Sequence, residues 1–148
     1  MKKLIAFCFA AVLWIAASSF SGTWGGDSFA IYLNGKQVLQ QFVYADKSVK
    51  TLSLASASEN DKIEVLYSHC GRGGKARILT IRNAKNEVVK KLSFGDDTEK
   101  PSQMGFYRKD VLGSEGANLS LSYSSTELPE GMLLARIVWQ GAKAVVKL

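Results

Sequence analysis

The chain reads as all-β: a single antiparallel β-sandwich, jelly-roll or immunoglobulin-like, preceded by a signal-peptide helix. Three observations predict it. Nearly every apolar segment after residue 22 has strand length and is bounded by turn residues. No segment there sustains the i, i+3, i+4, i+7 spacing of an amphipathic helix. Asn34-Gly35 sits between two β-prone runs, the strongest short-range hairpin signal, because both central residues of a type I′ turn need positive φ.

Residues 1–21 have the layout of a secretory leader. Lys2 and Lys3 precede an apolar run from Leu4 to Ala17, and the small residues Ser18, Ser19, Ser21 and Gly22 follow. The run falls short of the roughly 18 apolar residues of a membrane helix. Cleavage after Ser19 or Ser21 satisfies the small-residue rule, and a retained anchor is the alternative. Cys8 lies inside the apolar run rather than after it, so it is not a lipid-attachment cysteine. The expectation is a leader over 1–21 and one β-sandwich domain over 22–148, periplasmic, envelope-associated or secreted, with no transmembrane segment after cleavage.

The strands follow in order. Ser28–Leu33 and Lys36–Val43 flank the Asn-Gly turn, and Lys50–Leu54 is short. Asp61–Ser68 alternates Ile63, Val65 and Tyr67 against Lys62, Glu64 and Leu66, giving one core face. Lys75–Arg82 and Val88–Phe94 form a second hairpin across the loop 83–87. The polar stretch 95–103 is a loop, and Met104–Lys109 a strand, with Asp110–Asn118 a turn or one helical turn after it. Leu119, Leu121 and Tyr123 alternate with Ser120, Ser122 and Ser124. Met132–Gln140 is apolar on both faces apart from Arg136, which suits a central strand. Ala144–Leu148 closes the chain as a last strand.

Composition narrows the function. The full chain carries 19 basic and 13 acidic residues; without Lys2 and Lys3 the balance is 17 to 13, a net +4. That excess suits solubility and loose adhesion to anionic surfaces and is too scattered for nucleic-acid binding. Cys8 leaves with the leader, so Cys70 has no intramolecular disulfide partner. No nucleotide-binding loop, nucleophile elbow or EF-hand spacing is present, and no cofactor is called for.

The segment Tyr67-Ser68-His69-Cys70-Gly71-Arg72-Gly73-Gly74 is the one local oddity, with the only histidine beside the only mature cysteine. Four readings compete. The plainest is a glycine-rich turn, with Gly71, Gly73 and Gly74 supplying positive φ and Cys70 a small buried hydrophobe. A second makes Cys70 a reactive thiol whose thiolate His69, Arg72 and Lys75 would favour, although neighbours on a strand face opposite ways, so His69 need not reach it. A third is a metal at His69 and Cys70, which lacks a second ligand pair. The fourth is an anion cradle of Arg72, Lys75 and Arg77 with the glycine amides.

Two acidic loops raise calcium: Glu59, Asn60 and Asp61 in one, and Asp96, Asp97 and Glu99 in the other. Solvated loop charge is the simpler account. Trp24, Trp139 and the five tyrosines are candidates for a sugar platform, with strand alternation assigning most of them to the core. Asn118-Leu119-Ser120 matches the glycosylation sequon.

The segment Leu128-Pro129-Glu130-Gly131-Met132-Leu133-Leu134-Ala135-Arg136-Ile137, with Gln140-Gly141 and the closing Ala144–Leu148, resembles the last hairpin of type IX secretion sorting domains. There a Leu-Pro-x-Gly-Tyr strand precedes a lysine-rich final strand. This chain has Met132 where tyrosine is usual and lacks the closing lysine pair, and the resemblance implies no activity. Three function classes remain. The first is a non-enzymatic exported module binding a protein, glycan or small ligand of the cell envelope. The second is a thiol enzyme or redox protein centred on Cys70 and His69. The third is a structural or secretion-linked module acting through its C-terminal hairpin.

Overall fold

The computed structural model describes residues 26–55, 58–111 and 118–140. The expected leader, Trp24 and the closing strand lie outside them. Among these residues nine strands form: β1 (Ser28–Leu33), β2 (Lys36–Phe42), β3 (Lys50–Ala55), β4 (Lys62–Ser68), β5 (Arg77–Arg82), β6 (Val88–Phe94), β7 (Met104–Tyr107), β8 (Asn118–Ser124) and β9 (Met132–Gln140). A 3-10 turn, Arg108–Asp110, ends β7 sooner than the sequence suggests.

Two sheets pack face to face. One has the order β2-β1-β4-β7, the other β3-β9-β8-β5-β6. Asn34 and Gly35 both have positive φ, 52° and 78°, as the β1–β2 turn requires. Alternation then fills the interior. Phe29, Ile31, Ile63, Val65, Tyr67, Met104 and Phe106 come from the first sheet, and Leu79, Ile81, Leu119, Leu121, Tyr123 and Ile137 meet them from the second. Each such large apolar side chain contributes about 1.5–3 kcal/mol by leaving water.

The sandwich is not wholly antiparallel as expected: β3 runs parallel to β9, pairing Leu52 with Ile137 and Leu54 with Trp139. A parallel pair needs a long crossover, and here nearly the whole domain is that crossover. β9 is second in its five-stranded sheet, covered on one side by β3 and on the other by β8. Its apolar run has a further cause. The register slips where Leu121 and Ser122 face Ala135 and Leu133, so Leu134 and Ala135 are both buried.

Candidate functional site

Two polar regions are built on the same strand, β8. The first lies at its C-terminal end, between the sheets. Tyr67 on β4 and Tyr123 on β8 stack at 4.2 Å between ring centroids, 14° from parallel, one ring from each sheet. A buried phenol needs a partner for its hydroxyl. Tyr67 donates to Asp27 Oδ2 at 3.0 Å, and Tyr123 Oη lies 3.1 Å from His69 Nε2. His69 Nδ1 is 3.1 Å from the same Asp27 oxygen, and Ser125 Oγ is 3.1 Å from Nε2. A carboxylate accepts, so Nδ1 presents its N–H to Asp27, and the single lone pair of Nε2 faces the Tyr123 and Ser125 hydroxyls, which also bond each other. Burial pushes both phenols above their ordinary range; for Tyr67 the Asp27 charge adds to it.

The contact order is that of a Ser-His-Asp relay: Asp27 to Nδ1, Nε2 to the Ser125 hydroxyl. Access separates it from one. Ser125 is 6% exposed and shares Nε2 with Tyr123. Gly74 packs on the group so closely that a Cβ there would stand 2.6 Å from Tyr123 Oη and 3.1 Å from His69 Nε2. A nucleophile held so has no room for an acyl group. The constellation joins the sheets. Neighbouring contacts tighten it: the Glu127 carboxylate accepts from the Lys75 amide at 3.0 Å, which pulls its acid below the ordinary range.

The glycine-rich segment differs from its simplest reading. Cys70 is exposed, not buried. It sits at φ 52° beside Gly71 at 90°, in a two-residue turn closed by His69 N–H to Arg72 O at 2.8 Å and its reciprocal bond at 3.1 Å. Cys70-Gly71 thus repeats the geometry of Asn34-Gly35. Gly73 and Gly74 are not at positive φ; they are glycine because of close approach, Gly73 to the Asp97 backbone and Gly74 to Tyr123. Cys70 Sγ lies 3.9 Å from Asp27 Oδ1, whereas both ring nitrogens of His69 are engaged elsewhere.

The basic candidates do not converge. Arg72 and Lys75 are exposed. Arg77 is buried, its Nε on Gly95 O at 2.8 Å and its guanidinium on Asp97 and Ser102. Asp96 accepts from the Ala76 amide at 2.8 Å, so Asp96 and Asp97 brace this loop, while Glu99 is exposed. No group of three or more His, Cys, Asp or Glu among the described residues is placed to hold a metal.

The second region is the outer face of β3, β9 and β8. Where Tyr123 and Leu121 point inward, Ser120 and Ser122 point out. A hollow of about 470 Å³ opens there, floored by Thr51, Ser120, Arg136 and Val138 and walled by Asn83 and Asn86 of the β5–β6 loop. A smaller one of about 260 Å³, including Thr80, Arg82 and Ser122, adjoins it across Leu133. Neither this face nor the inter-sheet contact of Asp27, His69 and Ser125 follows from linear spacing. The available signal was partial: alternation buries Tyr67 and Tyr123, and both hydroxyls then demand polar partners. Compared with known proteins, the chain matches no family model and no curated protein.

Proposed function

We propose that the chain is an exported, non-enzymatic module of immunoglobulin-like topology that holds a glycan in the hollow on the outer face of β3, β9 and β8. The observation carrying this is the hollow's makeup. Asn86 and Asn118 with Thr51 and Ser120 offer amide and hydroxyl groups for a polyhydroxylated ligand, beside an apolar floor from Leu133 and Val138, while the Asn83 amide is committed to Glu87 and the loop backbone. Its volume suits a short oligosaccharide segment. Export rests on the Lys2-Lys3 start and the apolar run after it. Strand order supports the topology. β9, β8, β5 and β6 lie side by side as G, F, C and C′ strands do, while β1, β4 and β7 take the places of A, B and E. Sequential hairpins β5–β6 and β8–β9 sit in one sheet, unlike a pair of interleaved Greek keys.

Oligosaccharide binding to the secreted protein, followed by calorimetry, tests this reading. Filling the hollow with Ser120→Trp should abolish binding and leave the melting temperature within about 2 °C, as for other surface changes. Binding that survives that substitution would place the ligand elsewhere. Turnover of the oligosaccharide would make the protein an enzyme.

A further inference from the structure

We infer that the ligand of this face is an acidic glycan, long enough to span both hollows and clamped by Arg136 and Arg82. The inference rests on the glycan reading above and adds charge and length to it.

Register sets the geometry. Arg136 on β9 and Arg82 on β5 both pair with Ser120 of β8, one from each side. Two strand spacings separate them, about 10 Å along the row. Arg136 lines the larger hollow and Arg82 the smaller, with Leu133 common to both. Neither arginine forms an ion pair among the described residues. Arg82 is oriented by a bond to Asn86 O at 3.2 Å, which keeps the guanidinium at the loop's foot.

Charge complementarity gives the ligand's sign. Among the described residues no carboxylate lines the larger hollow, the nearby Glu87 being tied to Asn83 at 2.8 Å, and Glu130 is the one acidic residue lining the smaller. Lys91 extends the basic side, paired with Thr80 on the neighbouring strand. The absence of aromatics from the larger hollow matters equally. A neutral sugar usually draws affinity from stacking on an exposed ring. Here Trp139 is in the core, and Tyr123 meets the smaller hollow while 0% exposed. That leaves charge-assisted, bidentate guanidinium–carboxylate contacts as the strong interaction the face offers.

The test uses oligogalacturonate hexamer and its fully methyl-esterified form, two chains with the same polyol skeleton and different charge. The acid should bind at least tenfold more tightly, and raising salt from 50 to 300 mM should weaken it while leaving the ester unchanged. Arg136→Gln and Arg82→Gln should each weaken the acid about tenfold, as for loss of one hydrogen bond to a charged group. Lys36→Gln, on the other sheet, should have no effect. Equal affinity for acid and ester would overturn the inference and leave the glycan reading standing. Binding of neither form by a protein that also ignores neutral oligosaccharides sinks both. An equal loss in the Lys36 variant would mean diffuse adhesion, and tight binding of hexaglutamate would replace the glycan with an acidic peptide.

Discussion

The two faces of β8 carry opposite kinds of polarity. At its end, between the sheets, Tyr123 and Ser125 close on His69, Asp27 and Tyr67, and the polar atoms there find partners inside the protein. On its outer side Ser120 and Ser122 lie in open hollows, and the two arginines flanking Ser120 form no ion pair among the described residues. The closed region has the chemistry that looks like catalysis. The open one has the access that a ligand needs. Burial separates them: the Ser125 hydroxyl is 6% exposed within its cluster, whereas Ser120 and Ser122 line hollows open to solvent.

The sharpest way to break this comparison is to remove the ring that joins the sheets. Tyr123→Ala should cost about 3–5 kcal/mol, the usual loss for a buried aromatic, seen as a lower urea midpoint. His69→Ala comes next, at about 1–3 kcal/mol, because it leaves Asp27 and the two hydroxyls short of a partner. Neither the wild type nor Ser125→Ala should hydrolyse p-nitrophenyl acetate above background. Serine-dependent hydrolysis would show the cluster to be open.

A pH titration sharpens the same contrast. The folded phenol of Tyr67 ionises above its ordinary value because of burial and the Asp27 charge. The unfolded chain then loses that proton first as pH rises. The stability tied to this hydroxyl is therefore intact below about pH 10 and is lost above it. Tyrosine absorbance near 295 nm, followed with circular dichroism, should show Tyr67 ionising only together with alkaline unfolding. Reversible titration of every tyrosine in the folded protein would contradict this.

The smallest effect has the opposite sign. Cys70→Asn should stabilise the protein by about 0.5–1 kcal/mol, since asparagine tolerates the left-handed conformation better, as Asn34 does in the matching turn. In the wild type the thiol should react with a water-soluble reagent without denaturant, because it is exposed.

Local chemistry explains what was legible. Asn34-Gly35 announces its turn because few dipeptides accept two positive φ values, and alternation in β4 and β8 places Tyr67, Leu121 and Tyr123 correctly because half-buried strands have a period of two. Cysteine's general tendency to be buried misled at Cys70, where the need for a tight turn overrode it. The brace was illegible for another reason. Its members lie 42 and 56 residues apart in the chain, and only register and sheet packing bring them together. Arg77 shows the same limit: beside Arg72 and Lys75 it reads as one of three surface cations, yet the inward phase of β5 buries it against Asp97.

The parallel β3–β9 pair also governs when this domain can exist. Leu52 meets Ile137 only after the whole intervening chain has been laid down, and β9 alone joins β3 to the β8-β5-β6 group. A nascent chain that has not yet delivered Met132–Gln140 therefore lacks the strand that ties β3 to that group. Contacts this distant in sequence form late and slowly. The wiring of this sheet therefore ties its completion to the delivery of its last described strand, so that the end of synthesis sets the earliest moment at which the sheet can close.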